Sequence, residues 1–161
     1  MKTLIIYDSY FGNTEKVAKS MSGFFVRPDE CTVVRVDDFE INQLDDFDFL
    51  MVGSPTRGFR PTEKIKKFLH QIPPKALVGK KVAAFDTRVS NNQIKSPILK
   101  FLVNFFGYAA NPIAKKLTQK GGELIGTPVG FLVKGTEGPL EENEIEKAAL
   151  WLKSIIKNGD L

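Results

Sequence analysis

Apolar residues along the chain fall into two kinds of grouping. Short runs occur at 3–7 (TLIIY), 32–36 (TVVRV), 47–53 (FDFLMVG), 81–85 (KVAAF) and 128–133 (PVGFLV). The first, third and fourth are nearly unbroken, the pattern of strands covered on both faces in a parallel sheet. Helical spacing lies between them. Val17, Ala18, Met21, Phe24 and Phe25 form one apolar face, and Ile65, Phe68, Leu69 and Ile72 a second. Pro61 stands where a helix's first position tolerates proline. Ile98, Leu99, Leu102, Phe105 and Phe106 make a third face, with Ala114 and Leu117 continuing helical character beyond a break at 107–112. Ile145, Ala148, Ala149, Leu152, Ile155 and Ile156 make the last. Asn42-Gln43-Leu44 has room for about one helical turn.

Alternating strands and helices predict an α/β chain of βαβ units with right-handed crossovers. The expected fold is one domain over 1–161, a five-stranded parallel sheet of order 2-1-3-4-5 with helices on both faces. Ligands of such sheets bind beyond the carboxyl ends of the strands, where the winding reverses. That rule brings together the segments after strands one, three and four: DSYFGNTE, GSPTRGFRPTE and DTRVSNNQ.

The first segment admits two readings. Ser9, Gly12, Asn13 and Thr14 stand at the start of a helix, whose first amides lack intrahelical partners and attract phosphate. Alternatively, Thr14 or Asn13 caps the helix and Gly12 only turns the chain. One glycine and no lysine match neither the dinucleotide fingerprint nor the nucleotide triphosphatase loop, so a mononucleotide phosphate suits the segment better.

SYFGNTE after the first strand, with GSPT ending the third, resembles the flavodoxin family, and the order of elements agrees over nearly the whole chain. The resemblance implies a flavodoxin-like fold, FMN as cofactor and electron transfer between redox partners. It implies Ser9, Tyr10, Phe11, Gly12, Asn13 and Thr14 as the phosphate loop. Ser54, Pro55, Thr56, Arg57, Gly58 and Phe59 would flank one side of the flavin, and Asp86, Thr87, Arg88 and Val89 the other. Three features depart from the family's pattern. Phe11 replaces a common hydroxyl, DTRVSNNQ has no Tyr or Trp to stack on the flavin, and the net charge is +4 where flavodoxins are typically acidic. Phe11 and the Thr56-Arg57 pair also resemble FMN-dependent reductases of this fold. An NAD(P)H:quinone or a protoporphyrinogen oxidoreductase is therefore the alternative, with quinone or NAD(P)H as its substrate. A flavin-free interaction domain is the third reading, because fold does not fix function.

Charge adds a question about partners. Between Arg57 and Lys81 stand eight Lys and Arg residues and one acid, Glu63, whereas 137–146 holds five glutamates and no base. Most of this is expected to be solvated helix surface; the other reading is a basic face for an acidic redox partner. No nucleic-acid motif accompanies it. No apolar stretch reaches the roughly 20 residues of a membrane span. The N-terminus reads as a strand, not a signal peptide, and the lone Cys31 excludes an internal disulfide. Together these favour the cytoplasm.

Singly, Phe59 is expected to stack on the flavin or to pack under its own loop. Arg57, Arg60 and Arg88 are expected to be exposed loop charges; if two of them lie near the flavin, they would raise its potential. His70, Cys31 and Trp151 are expected to stand outside the chemistry, and Lys134–Leu140 to turn the chain or to approach the site.

Overall fold

The computed structural model describes residues 1–25, 27–90, 95–98 and 108–158. Strand β1 (Thr3–Tyr7) leads into helix α1 (Asn13–Ser22), then β2 (Cys31–Arg35). Strand β3 (Phe49–Pro55) is followed by α2 (Glu63–Gln71) and β4 (Lys81–Val89). Helix α3 (Ala110–Gln119), the two-residue strand β5 (Glu123–Leu124), β6 (Val129–Val133) and α4 (Glu144–Asn158) complete the chain. A short 3₁₀ segment, Ile41–Asp46, covers the single turn expected near 42–44.

All pairings within the sheet are parallel, in the order β2-β1-β3-β4-β5, with β6 also beside β4. The expected fifth strand is therefore two strands on one edge. Lys81 and Val82 pair with Glu123 and Leu124, and Phe85 to Val89 pair with Val129 to Val133. Four residues separate Leu124 from Val129 where β4 has only Ala83 and Ala84, so the chain buckles out at Gly126 (φ 72°) and Pro128 and then rejoins.

Two layers of core explain the apolar pattern. Leu4, Ile6, Leu50, Val52, Val82 and Ala84 face α2 and α3, while Ile5, Met51, Ala83 and Phe85 face α1 and α4. Strands buried on both faces need apolar residues at successive positions. The helices meet them through Val17, Ala18 and Met21, through Ile65, Phe68 and Leu69, and through Ala148, Leu152 and Ile155. Close packing has one specific requirement at Gly53. A Cβ there would lie 2.1 Å from the Phe85 ring.

Some boundaries differ from expectation. Asp86 to Val89, expected in a loop, are the last four residues of β4, because β3 pairs with that strand as far as Thr87 and β6 to its end at Val89. Ser54 and Pro55 likewise close β3. Helix α1 stops at Ser22, leaving Phe24 in the turn beyond it and exposed. Pro61 precedes the capping residue Thr62, not the helix's first position, and Ile145 is exposed on α4. Of the third expected helical face, Leu99, Leu102, Phe105 and Phe106 lie outside the described residues; Ile98 is described and exposed.

Candidate functional site

Among the helices that begin at the carboxyl edge of the sheet, α1, α2 and α3 differ in how their first amides are satisfied. Thr62 caps α2, its Oγ1 accepting the Ile65 amide at 3.4 Å. At the start of α3, the Asp86 carboxylate accepts the Ala110 amide (2.8 Å) and Thr56 Oγ1 accepts that of Ala109 (3.0 Å). Among the described residues, no side chain caps helix α1. Its flanking residue is Gly12, at φ 81°, a left-handed conformation that suits glycine.

The side chains able to cap α1 are engaged elsewhere. Asn13 Nδ2 donates to the Glu137 carbonyl at 2.8 Å, and the hydroxyls of Thr14 and Thr87 share a hydrogen bond of 2.8 Å. The plain-turn reading, with Thr14 or Asn13 as cap, therefore gives way. Asn13 and Thr14, the first residues of α1, line a cleft. A Cβ on Gly12 would meet nothing within 4 Å. Ser9, only 3% exposed, lines the same cleft, and its hydroxyl has no hydrogen-bond partner among the described residues.

A cation supports this turn from below. Parallel pairing sets Tyr7 opposite Arg35, and Arg35 Nη2 donates to the Ser9 carbonyl (2.7 Å) and to Asp8 Oδ1 (3.3 Å). The buried Asp8 carboxylate also accepts the Ser9 amide at 2.9 Å. Arg35 was not foreseen as part of the site. The signal for it is its place at the end of the strand beside β1.

The second and third segments divide between support and lining. Ser54, fully buried, accepts the Thr62 amide (3.0 Å) and donates to the Pro55 carbonyl (3.0 Å), joining β3 to the start of α2. Asp86 is also fully buried. It holds Arg88 at both carboxylate oxygens, at 2.5 and 2.6 Å. Burial pushes the Asp86 carboxyl above its ordinary value, against the opposing pull of Arg88 and the Ala110 amide. The Arg88 guanidinium lies 3.8 Å from the Tyr108 ring centroid and is packed so closely on Gly130 that a Cβ there would sit 2.0 Å from Nε.

One cleft collects the remaining candidates. Ser9, Tyr10, Phe11, Asn13 and Thr14 line it from the first segment and Pro55, Thr56 and Arg57 from the second. Thr87, Arg88 and Val89 line it from β4, joined by Val133 and Thr136. The segment 134–140 thus does reach the site. Tyr10 and Phe11 are 56% and 46% exposed, and the Arg57 guanidinium lies over both rings, at 5.2 and 5.9 Å. Gly12, Ser54, Gly58, Phe59 and Asp86 are not among the lining residues. Gly58 (φ 52°) and Phe59 (φ 67°) form the tip of a loop that turns Phe59 toward α2 and α3, where it lines a second cavity.

His70 lies in the last turn of α2, away from the cleft, and Trp151 packs on Phe131 while its Nε1 donates to the Thr127 carbonyl at 3.1 Å. Cys31 opens β2, and burial pushes its thiol up to about 12. Among the described residues no cluster of His, Cys, Asp and Glu could hold a metal, and no helix is long and apolar enough to cross a membrane.

A parallel sheet of order β2-β1-β3-β4-β5 with helices on both faces is that of the doubly wound α/β proteins, whose ligands bind at the carboxyl edge of the sheet. Within that class, the flavodoxin family model matches residues 5–151, and the chain belongs to that family. Solved structures of the same fold agree. Oxidised flavodoxin 2 from Bacillus cereus superposes with a TM-score of 0.77 at 22% identity, covering 98% of this chain and 99% of that one. A flavodoxin from the domain Archaea gives 0.75 at 21% identity over 100% of both chains. The rubredoxin oxygen:oxidoreductase of Desulfovibrio gigas gives 0.72 at 22% identity, covering 98% of this chain and 35% of that one. No curated protein matches the sequence.

Proposed function

We propose that the protein binds FMN in the cleft and serves as an electron carrier between redox proteins, one of them acidic. The observation that carries this reading is the start of α1. Among the described residues its amides have no capping side chain and the buried Ser9 hydroxyl of the same cleft has no partner, whereas side chains cap the starts of α2 and α3. An unsatisfied buried polar group costs about 1–3 kcal/mol, and a phosphate would relieve it. These residues fit a phosphate monoester, and membership of the flavodoxin family supports FMN as the molecule that bears it.

Ser9, Gly12, Asn13 and Thr14 would hold the phosphate through backbone amides and hydroxyls. Tyr10, Pro55, Thr56, Arg57 and Val89 would border the rest of the cofactor. Bound FMN would supply the redox chemistry, accepting and releasing electrons at its ring. The protein's part is placement and electrostatics. Arg57 sets a positive charge at the rim, while Arg88 is answered by Asp86 and serves mainly to hold the end of β4 to Tyr108.

Titration of the purified protein with FMN, followed by flavin fluorescence and visible absorption, tests the proposal. Saturation at one FMN per chain is expected. A colourless protein that takes up no FMN would overturn it in favour of an interaction domain. Rapid reduction of the loaded protein by NADH or NADPH alone would replace the carrier by a reductase.

A further inference from the structure

The loop after β3 carries basic residues to two neighbouring places. Arg57 and Arg60 pair backbone to backbone in both directions, at 2.9 and 3.0 Å, which closes residues 57–60 into a tight loop. Arg57 lies over the aromatic rim of the cleft, while Arg60 opens onto the second cavity, of about 330 Å³, between α2 and α3. Phe59, Pro61, Leu69 and Pro112 give this cavity its apolar wall. Around it stand Arg60, Lys66, His70 and Lys116.

The ion pairing of these bases is uneven. Lys64 is bound to Asp37, and Lys80 donates to the carbonyls of Asp45 (3.2 Å) and Phe47 (2.7 Å). At the cavity, Lys66 meets the highly exposed Glu63 at 2.6 Å. Arg57, Arg60 and Lys116 form no ion pair among the described residues. Lys67, Lys75 and Lys81 are likewise without an ion pair among the described residues, but it is Arg60 and Lys116 that set unpaired charge around this apolar hollow.

We propose that this hollow, together with Arg57 at the rim of the cleft on the same loop, is the docking surface for an acidic redox protein that presents an apolar side chain flanked by carboxylates. The inference rests on the electron-transfer reading for its biological sense, since a partner seated here lies next to the cleft. The geometry itself rests on chemistry of two kinds. A buried apolar anchor supplies affinity at the centre of an interface, and complementary charge around it selects the partner and speeds encounter. An inorganic anion would make no use of the apolar wall. An uncharged apolar surface would strip water from three cations and return no partner to them.

The test maps binding by amide chemical shifts of the isotope-labelled protein. The probe is a [2Fe–2S] ferredoxin of net negative charge, its iron replaced by gallium so that it is diamagnetic. Shifts are expected at 57–70 and 112–116, with affinity falling about tenfold as salt rises from about 20 to about 200 mM. Arg60→Glu with Lys116→Glu is expected to weaken binding at least tenfold. Lys153→Glu with Lys157→Glu, the same change of net charge on α4, is expected to leave it within about twofold, with circular dichroism reporting that both variants fold.

Absence of binding, shifts centred on another face, or equal loss in both double variants overturns the proposal. So does tighter binding at this face of a basic c-type cytochrome or of a single-stranded oligonucleotide. Because the map needs no bound flavin, its failure is distinct from failure of the FMN titration. A protein that docks the ferredoxin and takes up no FMN would end the carrier reading and leave the docking surface standing.

Discussion

The buried Ser9 hydroxyl has no partner among the described residues, and the proposed phosphate would supply one. A hydrogen bond to a charged group contributes about 1.5–3 kcal/mol, so Ser9→Ala is expected to weaken FMN binding by roughly tenfold to a hundredfold. Fluorescence titration measures it, and unchanged affinity would detach Ser9 from the phosphate. The two arginines of the cleft separate in the same way. Arg57 has no carboxylate partner among the described residues, so Arg57→Gln should lower the FMN midpoint potential, on the order of tens of mV, because negative charge added to the flavin loses a compensating cation. Arg88→Gln leaves the fully buried Asp86 without its partner, and its expected signature is lost stability of about 3 kcal/mol in chemical denaturation. Cys31 gives an alkaline prediction. Its thiol, raised from an ordinary 9.0 to about 12, keeps its proton in the folded state while the unfolded chain loses it. The folded state thus binds more protons between those values, and stability falls as pH rises from about 9 toward 12. Replacing Cys31 by serine should flatten that part of the stability profile. Some residues were legible and others were not, for a definite cause. Ser9, Gly12 and Thr14 are contiguous and announce a turn into a helix. Arg35 is 26 residues from the Ser9 carbonyl it supports, and only the register of β1 with β2 brings them together.

Strands were the most legible elements, because two-sided burial forces unbroken apolar runs such as Leu4-Ile5-Ile6. Their ends were less so. Asp86 to Val89 look like a polar loop, yet neighbours on both sides continue the ladder, and Asp86 finds a cation and a helix start to justify its burial. The split edge was not legible at all. Apolar spacing marks Val129 to Val133, but the two surplus residues before them are visible only once β4 is alongside. Within this sheet, Gly53 reports how closely elements approach. Gly53→Ala would press a methyl into the Phe85 ring, which in turn packs edge-on against Phe131 at 6.2 Å. A loss of about 1–3 kcal/mol in urea unfolding is expected. A neutral result would mean that Phe85 has another place to go.

At the scale of the molecule, the two faces of the sheet serve different ends. Helices α1 and α4 lie on one face and α2 and α3 on the other, so a partner on the α2–α3 side can dock beside the cleft without disturbing the start of α1. Folding and cofactor are nevertheless linked, because only the folded chain assembles three distant segments into one cleft. A ligand that binds only the folded state, at about 100 times its dissociation constant, adds about 2.7 kcal/mol to the unfolding free energy. FMN should do so here, and FMN that leaves the urea midpoint unmoved would contradict the proposed site.

The buckled edge beside β4 has a consequence for solubility. An exposed edge strand offers a row of amides and carbonyls on which a second chain can add, the first step of many aggregates. Here the protein occupies that row itself. Leu132 donates to Glu144 and accepts from Glu141, Lys134 donates to Pro139, and Lys147 reaches the Gly130 carbonyl. Pro128, just ahead, has no amide to offer. A foreign strand arriving at β6 finds the Leu132 and Lys134 amides and the Gly130 and Leu132 carbonyls already engaged.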